Sequence, residues 1–100
     1  MVEVRQTERF AQWLEDLRDL RARARVQARI ERLIGGNPGD VRPIGSGVSE
    51  LRINYGPGYR VYYQQKGSTL IILLACGDKS SQVIDIEEAL MLACQIKENG

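Results

Sequence analysis

The spacing of apolar and polar positions predicts a strand and two amphipathic helices in the first third of the chain. Residues 2–5 alternate and predict a short strand. Apolar residues at 10, 13, 14 and 17 recur at helical spacing behind the potential N-cap Thr7, so a helix is expected from 8 to about 17 or 18. A second helix is expected over 20–34, because two glycines and then Pro38 follow it.

Three strands and a last helix are predicted in the second half. Turn-forming residues are dense over 35–47, which predicts a loop. Residues 49–55 and 59–65 alternate, and the apolar run 69–76 predicts a central strand that is covered on both faces. The last helix begins near residue 85 or 86. The order β-α-α-β-β-β-α, with the helices on one face of a mostly antiparallel sheet, predicts a single α+β domain over 1–100.

Composition limits the classes of site that the chain can carry. The longest apolar run has seven residues, well below the roughly 18 to 20 needed to span a bilayer, and no secretory signal precedes it, so a cytoplasmic protein is expected. There is no histidine and no CxxC pair, so neither a zinc site nor a histidine base is expected. We expect no metal and no cofactor.

The net charge of +1 hides a basic segment. Residues 18–32 contain six arginines and only two acids, so the rest of the chain has a net negative charge. Spacings of 3, 4, 4 and 3 predict that five of them form one helical stripe: Arg18, Arg21, Arg25, Arg29 and Arg32. A nucleic-acid backbone would bind such a stripe, and the alternative is a solvated helix face.

A second candidate surface is the face of the sheet opposite the apolar one. It is expected to carry Arg52, Asn54, Arg60, Tyr62 and Gln64. Arginine forks match phosphate geometry, and tyrosine stacks on bases or transfers protons. The alternative is again a solvated face, with Arg52 paired to Glu50 or to another acid.

The segment GDKSSQ, residues 77–82, follows the apolar strand and brings several polar groups together. It contains the carboxylate of Asp78, the ammonium of Lys79, two hydroxyls and the amide of Gln82. Loops at strand ends often carry function. The serines could instead serve only to turn the chain towards the last helix, and the residues alone leave both interpretations open.

Most of the chain resembles the RelE/ParE superfamily of bacterial toxin–antitoxin toxins. The resemblance rests on ELRI, GPGYRVYY, GDKSSQ and DI within residues 47–89, and upstream on FAQWLEDL, RIERL and GNPGDVRPIGSG. It is strongest to the HigB-like group of addiction-module killer proteins. It implies an α+β toxin with a helical hairpin. In the RelE and HigB branches it implies a metal-independent endoribonuclease that cuts mRNA on the ribosome. Its partner would be a neutralising antitoxin, often a helix-turn-helix protein.

The resemblance also implies roles for single residues. Arg60 matches the arginine that contacts the scissile phosphate, Arg52 a basic residue on the preceding strand, and Lys79 the basic residue after the central strand. Glu50 departs from the pattern, because relatives carry a basic residue there. The acid–base tyrosine near the last helix has no counterpart, since Asp85 and Ile86 occupy that neighbourhood.

The expected reaction is attack of an RNA 2′-hydroxyl on the adjacent phosphate. Arg60 and Lys79 would stabilise the charge, Arg52 would position the backbone, Tyr62 would stack or transfer a proton, and Asp78 is a candidate base. Asn54, Gln82 and the arginine stripe would contact RNA. Two alternatives stay open: a ParE-like poison of DNA gyrase that is not a nuclease, and an inactive relative that only binds a helix-turn-helix regulator.

Overall fold

The computed structural model describes residues 2–99, with side chains through residue 97. Over this range the chain forms five strands and three helices around one sheet. In chain order the elements are β1 (Glu3–Gln6), α1 (Glu8–Asp16), α2 (Leu20–Ile34), β2 (Val41–Gly45), β3 (Val48–Ile53), β4 (Tyr59–Lys66), β5 (Leu70–Gly77), a 3₁₀ turn (Lys79–Ser81) and α3 (Gln82–Asn99).

The sheet has the strand order β1-β5-β4-β3-β2. β1 runs parallel to β5, and the other neighbouring pairs are antiparallel. The α+β class, the helical hairpin and the mostly antiparallel sheet are therefore confirmed.

One strand lies in the segment that the sequence predicted to be loop. β2 pairs with β3, with Val41 opposite Leu51, and a register shift occurs between Pro43 and Gly45. An edge strand tolerates proline and a bulge, because one side of its backbone needs no partner strand. The turn-forming residues that hid β2 in the sequence are thus compatible with its position at the sheet edge.

Local hydrogen bonds explain where the two hairpin helices begin. The Thr7 hydroxyl accepts from the Phe10 amide at 3.1 Å and donates to the Leu74 carbonyl at 2.6 Å, which caps α1 and attaches it to β5. Asp19 caps α2 by accepting from the amides of Arg21 and Ala22 at 3.0 and 3.2 Å. The Thr7 cap and the predicted bounds of α2 are confirmed.

The helices lie on both faces of the sheet, so the prediction that they share one face is wrong. The hairpin covers a core that includes Phe10, Val26 and Leu51. α3 covers the opposite face, where Ala89 packs with Leu74 of β5. β5 is apolar on both sides and is buried throughout after Leu70, so each of its faces requires a cover.

α3 is also the longest helix, with 18 residues. Neither it nor any other helix within residues 2–99 is long and apolar enough to cross a membrane.

Close approach of α3 to the end of β5 should make Gly77 intolerant of a side chain. A Cβ atom there would lie 1.9 Å from Asp85 Oδ2. Asp85 is buried and bound to the Arg9 guanidinium at 3.0 Å, so it has little room to retreat. We expect Gly77→Ala to lower the free energy of unfolding by roughly 3 kcal/mol in a denaturant titration.

Gly35→Ala is the matched control for that substitution. Its Cβ would meet only backbone atoms at 3.5 Å or more, at an ordinary φ of −76°. Equal stability of the two variants would contradict the close packing of α3 on Gly77.

Candidate active-site cleft

A cleft of about 360 Å³ lies where β3, β4 and the 3₁₀ turn meet. It is lined by Asp40, Arg52, Ile53, Asn54, Gly58, Tyr59, Arg60 and Lys79. Arg52 and Arg60 are directly opposite each other in the β3–β4 register. Three of the predicted catalytic residues and the predicted RNA contact Asn54 therefore come together at one site.

Arg60 is held in a fixed position at this cleft. Only 13% of its side chain is exposed, and its Nη1 donates to the Gly58 carbonyl at 2.9 Å. Its neighbours Tyr59 and Val61 anchor the strand on the other face, where the Tyr59 ring packs edge-on against Trp13 at 5.7 Å. The strand thus points Arg60 away from the hairpin core, as the alternation of β4 predicts.

Glu50, fully buried behind Arg60, provides the negative charge that balances it. Its Oε2 lies 3.5 Å from Arg60 Nε and accepts hydrogen bonds from the Tyr62 hydroxyl at 3.2 Å and the Gln82 side chain at 2.9 Å. A buried carboxylate requires such partners. Gln82, predicted to contact RNA, instead binds this carboxylate.

The prediction that Tyr62 lies on an exposed face is wrong. α3 covers it completely, and its hydroxyl points to Glu50. Burial, followed by the nearby Glu50 charge, raises the pKa of the Tyr62 phenol well above its ordinary value. It therefore cannot stack on a base in this arrangement, and it stays protonated at neutral pH.

Arg52 has an acid partner, as one alternative interpretation of the sequence proposed. That partner is Asp40, whose Oδ1 lies 3.2 Å from Arg52 Nε and 2.8 Å from Nη2. The Asp40 hydrogen bond raises the pKa of the guanidinium. Asp40 is the one acid among the described residues that line the cleft.

Lys79 is exposed at the cleft, and Asp78 organises the turn that carries it. The Asp78 carboxylate accepts from the Ser80 amide at 2.8 Å and caps the 3₁₀ turn, while its own amide binds the Ser81 hydroxyl. The carboxylate of Asp78 is therefore engaged with the backbone next to Lys79, and Asp78 is not among the cleft-lining residues.

The arginine stripe is not one uniform surface. Arg18 lies in the link before α2 and so is not on the helix, contrary to the spacing argument. Arg29 is half-buried and donates to the carbonyls of Arg52 at 2.7 Å and Pro38 at 2.9 Å. Arg25 lies 4.7 Å above the ring of Tyr55. Arg21 and Arg32 are exposed, so these two retain the character of a free basic surface.

The contacts of two acids that shape the cleft, Asp40 and Glu50, are not evident from the sequence. Asp40 lies in the segment that the sequence predicts to be loop, and only the pairing of β2 with β3 brings it to Arg52. Glu50 departs from the family pattern, which marks the position but not its contacts. In the β3–β4 register, which alternation alone does not fix, Glu50 lies directly opposite Tyr62, and the two side chains meet.

Arg29 should stabilise the fold, since its guanidinium bridges α2 to two other segments. Arg29→Lys removes the fork that reaches two carbonyls at once. We expect a loss of about 1–2 kcal/mol in the free energy of unfolding, measured by urea titration. Arg21→Lys, on an exposed position of the same helix, should leave it unchanged, and equal losses would contradict the bridging role.

Tyr62 should make stability depend on alkaline pH. Because its pKa is raised in the folded state, the unfolded chain loses this proton first as the pH passes about 10. The contribution is present below that pH and is lost above it. We expect Tyr62→Phe to be about 1–2 kcal/mol less stable at pH 7 and to lose less stability than the wild type between pH 9 and 11. Parallel curves would contradict the buried phenol.

Comparison of the sequence with known proteins identifies the family of this chain. The family model described as Phage derived protein Gp49-like (DUF891) matches residues 12–95. A relative from Haemophilus influenzae, named only as an uncharacterized protein, is 45% identical over 95 residues, which are 95% of this chain and 96% of the relative.

A solved structure shares the fold. The free-state structure of a double arginine-to-alanine mutant of the E. coli toxin RelE superposes with a TM-score of 0.69, over 90% of this chain and 95% of that one, at 18% sequence identity. The resemblance to RelE-like proteins is confirmed, whereas the narrower HigB-like assignment stays a prediction. The chain belongs to the Gp49-like family and has the fold of the toxin RelE.

Proposed function

We propose that this protein is the toxin of a type II toxin–antitoxin module and acts as a metal-independent endoribonuclease on mRNA at the ribosome. The observation that carries the proposal is the convergence of Arg52, Arg60 and Lys79 on one cleft. Family membership and the RelE-like fold support the toxin class.

The reaction is an internal transesterification of RNA. The 2′-oxygen attacks the adjacent phosphorus and loses its proton, while the bond from phosphorus to the 5′-oxygen breaks and that oxygen gains a proton. The products are a 2′,3′-cyclic phosphate and a 5′-hydroxyl. Negative charge increases on the non-bridging oxygens in the transition state, so cations fixed beside them lower the barrier.

Arg60 and Lys79 are assigned to that charge, and Arg52 to positioning of the RNA backbone. Arg60 suits its role because Glu50 and the Gly58 carbonyl hold its guanidinium before any ligand arrives. Preorganised donors of this kind need little rearrangement in the transition state. Asp78 acts as the cap that presents Lys79, and Asn54 is exposed at the cleft for a further RNA contact.

The partners that the family resemblance implies are compatible with the positive charge of the cleft. mRNA and the ribosome are anionic, and a cognate antitoxin with an acidic segment would neutralise the toxin by covering the basic cleft. A helix-turn-helix antitoxin in the cytoplasm is the partner that we propose. Arg21 and Arg32, which are exposed on α2, add positive charge outside the cleft.

Removing the cleft cations one at a time tests the nuclease. Arg60→Ala and Lys79→Ala should each reduce RNA cleavage by about 10²–10³-fold, the usual loss for one group that stabilises transition-state charge. Lys97→Ala, which removes an exposed lysine that does not line this cleft, should cleave normally. New RNA 5′ ends are mapped across the transcriptome after brief induction of each variant, beside thermal unfolding curves.

Lys79→Ala is the decisive variant, because Lys79 is exposed and its removal leaves no buried charge unpaired. Arg60→Ala leaves Glu50 without its cation, so its result counts only if the variant is folded. Cuts inside translated codons that disappear in Lys79→Ala establish the nuclease. Growth arrest without new RNA ends indicates the gyrase poison. If the protein causes neither growth arrest nor new RNA ends, it only binds a regulator.

A further inference from the structure

We propose that Asp40 is a built-in competitor for the RNA phosphate at Arg52, and that it sets how much contact a ligand must make before it occupies the cleft. The inference rests on the proposed function, because it concerns the same cleft. It adds a residue that determines which anions bind there.

The Asp40 carboxylate occupies the Nε–Nη2 donor edge of the Arg52 guanidinium in the way that a phosphate oxygen would. One oxygen, Oδ1, accepts from both Nε and Nη2 of Arg52, at 3.2 and 2.8 Å. Carboxylates and phosphates use the same donor fork of arginine. A phosphate that binds this fork must therefore displace Asp40.

Displacement requires only a side-chain rotation. The Asp40 main chain is fixed separately, since its carbonyl accepts from the Arg52 amide at 2.9 Å. Arg29 strengthens that junction by donating to the Arg52 carbonyl at 2.7 Å. The backbone can stay in place while the carboxylate turns away, because 55% of the Asp40 side chain is already exposed to water.

The two arginines of the cleft thus differ in the burial of their acid partners. Glu50 is fully buried behind Arg60 and binds two further side chains, so it cannot leave without stranding a charge in the interior. Asp40 is exposed, and an exposed ion pair is weak and easily exchanged. Of these two arginines, only Arg52 can therefore exchange its acid partner for an incoming anion.

This arrangement favours an RNA strand over a small anion. An anion that contacts Arg52 alone gains one ion pair and loses the one with Asp40, so the exchange is nearly balanced. A phosphodiester backbone that also contacts Arg60 and Lys79 gains further pairs for the same loss. The Asp40 carboxylate therefore competes effectively with a single phosphate for Arg52, but not with an RNA backbone that makes several contacts at once.

Binding of an uncleavable RNA tests this inference. The probe is a single-stranded oligomer of 2′-O-methyl nucleotides, which lacks the attacking hydroxyl. We expect Asp40→Asn to bind it about three- to fivefold more tightly than the wild type, which corresponds to the upper range for an exposed ion pair. Asp16→Asn makes the same charge change at an exposed site outside the cleft and should have little effect.

The gain should depend on Arg52. In an Arg52→Gln background, Asp40→Asn should no longer tighten binding, because the competition that it relieves is gone. Unchanged or weaker binding by Asp40→Asn, an equal gain in Asp16→Asn, or a gain that persists without Arg52 would each overturn the proposal.

The outcome is separate from that of the nuclease proposal. If the wild type cuts no RNA but Asp40→Asn still tightens binding of the probe through Arg52, competition stands and the nuclease assignment falls. If the wild type cuts RNA and Asp40→Asn binds no more tightly, the nuclease stands and the competition is overturned.

Discussion

A carboxylate without access to water organises the side of the molecule that carries the candidate site. Glu50 lies on β3 under α3, and it receives Tyr62 from β4 and Gln82 from the start of α3. These contacts join two strands to a helix and leave Arg60 as the compensating cation. Breaking such a buried pair is far more damaging than breaking an exposed one, so the position of Arg60 is tied to the integrity of the fold.

The sequence predicted most elements because their patterns are strong and local. α2 has a clear apolar periodicity, and glycines follow it at once. The face on which α3 packs was mispredicted, because periodicity shows that a helix has an apolar side but not which surface meets it. The sequence of β5 indicated that helices lie on both faces of the sheet, since its continuous apolar run requires cover on both faces. β2 was missed because Pro43 and Gly45 resemble loop residues.

The candidate site was predictable only where alternation and resemblance agreed. Arg52 and Arg60 share a face when the apolar sides of their two strands lie on the same core, and the family pattern added Lys79. Alternation also put Tyr62 on that face, correctly, but exposure depends on what covers a face, and α3 covers this part of it. Asp40 could not be inferred, because its contact with Arg52 depends on long-range strand pairing.

Whether an arginine of this protein is available to an anionic ligand therefore depends on the groups that it already contacts. Arg29 has its guanidinium occupied by carbonyl oxygens, and Arg25 lies over an aromatic ring, so sequence spacing overstated the free basic surface of α2. Arg60 is fixed by an acid that cannot move, and Arg52 is held by an acid that can. A cleft with one permanent and one exchangeable pair can keep its geometry while it remains open to an anionic ligand, which two permanent pairs would not allow.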